Sequence, residues 1–125
     1  MSLSQPNLFD ELAQEFLGAW CMAHGFDAGS ASALVGEDHL AILIEGAFSL
    51  AEHKLAEAQS GEALLREYAA ELLNQICAAM IKQIERVVER KVLSSDINVN
   101  PDADQVMFIF KLAEHEPPHF KERGS

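Results

Sequence analysis

Near the C-terminus, His115, Glu116, Pro117, Pro118 and His119 spell the HExxH pattern of zinc proteases. That motif works when both histidines stand one turn apart on a helix, so that two ring nitrogens reach one zinc and the glutamate activates its water. Here Pro117 and Pro118 remove two amide donors and push Glu116 out of helical backbone space. The letters match but the geometry cannot, and no zinc site is expected. His24, His39 and His53 are spread over a helix end, a turn and a short helix. If the first hairpin and the short helix fold together, His39 and His53 approach one another. Two ligands still fall short of the three that a catalytic zinc takes, so these are read as surface or structural histidines.

Glu45 is the acid best placed for chemistry. It ends an apolar run and shares a strand face with Leu43. Buried there, it would need a partner or a proton, because an unpaired buried charge is very costly. It would then be an acid at a site or an interface. The simpler and preferred reading is a strand-end carboxylate that reaches solvent or accepts from amides near Ser49. Gly46 is read as serving the tight strand-to-helix turn and not a ligand. Glu85, Arg86 and Arg90 sit where ion pairs could form, worth little if solvated. Ser94, Ser95 and Asp96 include no base to activate a nucleophile. Phosphate-cradling glycine loops, nucleotide fingerprints and basic-aromatic patches are absent from the sequence, and no catalytic residue, metal or cofactor is assigned.

The elements that must position these residues are legible from periodicity. Asn7 can cap a first helix whose apolar face is Phe9, Leu12, Phe16, Ala19 and Trp20, with Gly25 as its stop. Ser30 to Val35 reads as a weak strand, Gly36 to Asp38 as a turn and His39 to Glu45 as a strong strand, together an antiparallel hairpin. Ser49 and Glu52 form a capping box, opening a short helix to about Ala58. Ser60 and Gly61 are expected to break it, with Ser60 capping a long helix from Glu62 to about Arg90. The buried stripe of that helix is expected at Leu65, Tyr68, Leu72, Ile76, Met80, Ile84 and Val87. Lys91 to Ser95 reads as a third strand. Asn100, Pro101 and Asp102 mark a turn, and Val106 to Leu112 alternates as a fourth strand. Its second face, Gln105, Met107, Ile109 and Lys111, is also partly apolar, which leaves room for a cover. The fold class is α+β: a four-stranded antiparallel sheet of two hairpins, with helices on one face.

Bulk properties bound the rest. At 125 residues the chain is expected to be a single domain, with an ordered core over about 7–114 and a mobile tail over 115–125. Such a length buries roughly two-thirds of the unfolded surface, enough for a core without metal or disulfide. With 20 acidic and 9 basic residues the formal charge is −11. This argues against nucleic acid and anionic lipid as partners, since both attract positive charge. Cys21 and Cys77 have no CxxC spacing and read as buried thiols in a reducing compartment. No signal-peptide pattern opens the sequence, and its apolar runs fall short of the ~20 residues of a membrane span. A cytoplasmic protein without direct membrane insertion is expected.

These segments also resemble a known bacterial family, domain of unknown function 2294 or the MpsC-like family. The residues that carry the resemblance are Leu40 to Leu55, with Glu45, Gly46 and Glu52; Ile84 and Glu85 before Lys91 to Ser94; and Ser95, Asp96 and Ile97 leading to Phe108 through Leu112. Glu89 and Arg90 stand where many members have a glycine, and the turn from Asn98 to Asp104 is individual to this chain. The resemblance implies a soluble accessory to a membrane ion- or bicarbonate-transport system that generates membrane potential, and it implies no catalytic residue. The first expectation is therefore a non-enzymatic accessory or regulatory protein, a homodimer that docks onto a membrane transport complex or another cytosolic protein. The second is a small-molecule or ion sensor with a pocket between sheet and helices lined by Glu45, His39 or His53. An enzyme using Glu45 as acid or base ranks last.

Overall fold

A computed structural model describes residues 7–27 and 29–114. The His115–His119 motif and the expected C-terminal tail lie outside these residues. Asn7 caps the first helix, α1 (Leu8–His24), its side chain accepting from the Phe9 amide at 2.7 Å. Gly25 ends it at φ 74°, in the left-handed region glycine favours, and its N–H bonds the Cys21 carbonyl. Strands β1 (Ser30–Val35) and β2 (His39–Glu45) follow, then helices α2 (Leu50–Leu55) and α3 (Gln59–Val88), then β3 (Val92–Asn100) and β4 (Gln105–Leu112). The four strands form one antiparallel sheet in the order β1-β2-β4-β3. The two hairpins thus meet at the β2–β4 pair, and the α+β architecture is as expected.

Alternation along the central strands decides where the core lies. Leu40, Ile42 and Ile44 of β2 and Val106, Phe108, Phe110 and Leu112 of β4 are all buried on one face. Helices α1 and α3 cover that face with Leu12, Phe16 and Trp20 from one and Leu65, Leu73, Ile76 and Ile84 from the other. Phe16 meets Phe108 edge-on with centroids 4.7 Å apart, the geometry that puts a ring's positive edge on its neighbour's negative face. Each buried large apolar side chain contributes about 1.5–3 kcal/mol, so this single layer of contacts dominates the stability.

Four local expectations are corrected. First, α3 starts at Gln59 without a side-chain cap on Ala58, and α2 already ends at Leu55. Gly61 is not a breaker: it lies buried in the first turn of α3, where a Cβ would stand 2.0 Å from the Leu55 carbonyl oxygen. The missing side chain lets α3 cross the end of α2 in direct contact. Second, Tyr68 is 46 % exposed, while the buried line runs through Ala69 and Cys77 beside the expected Leu65, Ile76 and Ile84. Small residues bring the helix axis close to the sheet and turn its buried face by one position. Third, β3 continues to Asn100, because Ile97 and Val99 keep pointing inward opposite Phe108 and Val106. The turn shrinks accordingly to residues 101–104, and a bulge between Val92 and Ser94 leaves Leu93 exposed.

Fourth, Glu85 and Arg90 at the end of α3 bond backbone, and not one another or Arg86. Glu85 accepts from the Val92 amide at 2.9 Å, aligning the start of β3. Arg90 donates to the carbonyls of Ala113 and Glu37, tying the β1–β2 turn to the end of β4. Between them Glu89 adopts φ 59° and ψ 38°, with its N–H on the Glu85 carbonyl. This left-handed position is where a glycine would carry no steric penalty.

Candidate functional site

Two regions gather the polar and apolar residues singled out above. The first is the junction where α1, the β2–α2 loop and the β3–β4 turn meet. Gly46 leaves β2 at φ 65°, with Gly29 so close that a Cβ would stand 3.3 Å from its backbone. This confirms its use in the turn. The Ala47 carbonyl then accepts from the Trp20 indole N–H at 3.1 Å. His24, whose side chain is fully buried, stacks on Trp20 with centroids 4.1 Å apart. Its Nδ1 lies 2.8 Å from the Trp20 carbonyl oxygen and its Nε2 3.1 Å from that of Ala47. Both ring nitrogens thus face backbone carbonyl oxygens, and Glu52 Oε1 stands 3.7 Å from Nε2.

The same Glu52 completes the capping box, accepting from the Ser49 amide at 2.7 Å while Ser49 Oγ accepts from the Glu52 amide. Asp104, itself at φ 58°, accepts from the Phe48 amide at 3.0 Å, and its carbonyl accepts from Ala47. His53 Nε2 sits 3.0 Å from the Asp104 carboxylate. His53 aside, every polar side chain named here meets a backbone group at a helix end or a loop. This junction is architecture: it fixes α2 and the end of β2 against the second hairpin. His24 and Asp104 were missed as anchors in the sequence. The only hint was a Trp–His pair four residues apart at a helix end.

The second region is the face of the sheet that points away from the helices. Strand register places Ser32, Leu43, Met107 and Asn98 in one row and Leu34, Ala41, Ile109 and Asp96 in the next. Ala41, Leu43, Met107 and Ile109 are half-buried and Leu34 is exposed. Among the described residues no helix lies over them. Glu45 stands exposed at one end of this face, paired with Gln105, and His39 stands exposed at the other, paired with Lys111.

Glu45 is therefore the solvent-reaching strand-end carboxylate of the simpler reading. The amides of Phe48 and Ser49 are taken instead by Asp104 and Glu52. His39 and His53 are not brought together, because His39 begins β2 whereas His53 follows its far end and turns to Asp104. At ~3.3 Å per residue, His39 and Glu45 are ~20 Å apart. The pocket between sheet and helices lined by Glu45, His39 and His53 does not form, because Glu45 and His39 lie on the opposite face. Two shallow clefts lie elsewhere, one between α1 and α3 at Leu12, Glu15, Gln83 and Val87, the other at Glu37, Asp38, Arg90 and Glu114. Among the described residues no three His, Cys, Asp or Glu side chains are grouped to hold a metal, and no helix is long and apolar enough to cross a membrane.

A sheet covered by helices on one face, with a polar junction at one end and an apolar opposite face, defines a small α+β domain. The chain matches, over residues 24–114, the family described as the Na+-translocating membrane potential-generating system protein MpsC. It belongs to the MpsC family. No curated protein and no solved structure matches it.

Proposed function

We propose that this protein is a non-enzymatic accessory of a membrane-potential-generating ion-transport system, acting from the cytoplasm by protein–protein contact. The observation that carries this reading is the uncovered sheet face. A half-buried apolar centre with a polar rim is the composition of a contact patch. Family membership supplies the system. The acidic residues that could serve as catalysts either close backbone ends, as Glu52, Glu85 and Asp104 do, or stand in solvent, as Glu45 does.

The test is genetic and quantitative. A strain lacking the gene should show a reduced sodium-dependent membrane potential by a voltage-sensitive dye. Restoring the wild-type chain should recover it. Met107→Asp with Ile109→Asp should fail to recover it while keeping a native circular dichroism spectrum. An unchanged potential in the deletion strain would sink the proposal. So would full recovery by the doubly substituted chain.

A further inference from the structure

We propose that the occupant of the open sheet face is a second copy of this chain, stacked face to face with its strands running in the opposite direction. This rests on the reading of that face as a contact surface and goes on to name what it contacts.

The face has the symmetry such a pair needs. Ala33, Ile42, Phe108 and Ile97 lie on one row across all four strands, and their side chains belong to the helix side. That row is a midline for the opposite face. Leu43 and Ala41 flank it on β2, Met107 and Ile109 on β4, and Asn98 and Asp96 on β3. One step further out, Glu45 and Gln105 stand at one end and His39 and Lys111 at the other. A two-fold axis along the midline turns the face onto itself, the requirement of an isologous dimer. Each Leu43 then covers the partner's Ala41, and each Met107 the partner's Ile109, so large residues meet smaller or slimmer ones. Each Glu45 lands over the partner's His39, one strand from its Lys111, each Gln105 over the partner's Lys111, and each Asp96 over the partner's Asn98.

Charge selects this arrangement over the alternatives. With strands running in the same direction, Glu45 would meet Gln105, and Lys111 would meet His39, so no opposite charges would pair. Aligned sheets cross at about 30°, which shifts a strand end by roughly one strand spacing, a distance that a lysine side chain spans. The face itself holds Glu45, Asp96 and Lys111 as fixed charges, although the whole chain carries −11. The repulsive excess therefore sits on other surfaces. It disfavours pairing of two copies anywhere but here. At strand spacings of about 4.8 Å and rises of about 3.3 Å, the face measures roughly 20 Å by 23 Å, the footprint of a modest interface. The pair should be reversible, with dissociation in the micromolar range.

Sedimentation of the full chain from low to high micromolar concentration should show a monomer–dimer equilibrium. Glu45→Lys alone and Lys111→Glu alone should each weaken it about tenfold, because each places like charges together twice per dimer. The double variant, Glu45→Lys with Lys111→Glu, should return close to wild type. Within one chain these residues stand at opposite ends of the sheet, so recovery in the double variant can arise only between copies. Both are exposed, and unchanged thermal melting verifies that each variant folds. A monomer at every concentration overturns the proposal, as does a double variant no better than the singles. If the protein is monomeric while the deletion phenotype above holds, the second copy is wrong and the accessory role stands. A charge-dependent dimer without any membrane-potential phenotype leaves the second copy standing and removes the accessory role.

Discussion

Replacing Glu89 by glycine should make the protein more stable, and the structure gives the size of the effect. Glu89 holds φ 59° at the C-cap of α3, bonded through its N–H to Glu85. A residue with a Cβ carries about 1–2 kcal/mol of strain in that conformation, which glycine removes. Glycine also adds freedom to the unfolded chain, costing about 0.5–1 kcal/mol. Losing a carboxylate from the negative end of the α3 dipole returns about 0.3 kcal/mol or more. The sum is a gain near ~1 kcal/mol, or about 3–5 °C in melting temperature for a domain of this size. Glu89→Ala is the control: it removes the charge and keeps the strain, so it should gain only a few tenths of a kcal/mol. Chemical denaturation of the three proteins side by side measures both differences. If the glycine variant is no more stable than the alanine variant, the left-handed strain at the end of α3 is not the cause, and the reasoning fails.

Two further outcomes follow from packing. Gly61→Ala should destabilise the fold by about 1–3 kcal/mol in urea melts, the cost of forcing backbone apart to admit a methyl, since its Cβ would fall 2.0 Å from the Leu55 carbonyl oxygen. A neutral result would mean that α2 moves aside freely. Burial pushes the Cys77 thiol from the usual 9.0 up to about 11, against a lowering by its hydrogen bond to Ser95, with Asp96 adding to the rise. Its thiolate should then be about a hundredfold rarer at pH 8 than that of an unshifted thiol, and mass-resolved alkylation of the native protein should find it correspondingly slow. Because the fold favours the neutral thiol, that contribution to stability is complete below pH 9 and fades as pH rises toward 11. A Cys77 that alkylates in the native state as fast as an unfolded control would contradict this.

Much of the fold was legible because the central strands leave little choice. Leu40, Ile42, Ile44 and then Val106, Phe108, Phe110 alternate without interruption, and one residue of slip would expose all of them. Helix ends marked by a characteristic residue were equally plain, at Asn7, Gly25 and Ser49. Less legible were features decided by neighbours remote in sequence. Gly61 looks like a breaker until Leu55 is placed against it, and Tyr68 looks buried until Ala69 and Cys77 draw the helix down on their side. The candidate site divided the same way. Glu45, Gly46, Met107 and Ile109 took the positions that strand alternation and turn geometry assign them. The distance between His39 and His53 depended on which end of β2 the short helix leaves from. His24 was hidden because its value lies in Ala47 and Glu52, which only the folded chain brings to it.

The strand order has a consequence for how the chain finds this structure. Each hairpin closes over a turn of a few residues, Gly36 to Asp38 in one and Pro101 to Asp104 in the other. The pairing that joins them, β2 with β4, links Leu43 to Met107 across two helices, a strand and about half of the sequence. Loop-closure entropy makes such a contact late and slow relative to hairpin formation. Until it forms, the two strands with the richest apolar alternation each have one unpaired edge. The most strongly β-forming part of the chain is therefore the last to be protected, and nascent chains are most exposed to mispairing with one another during that interval.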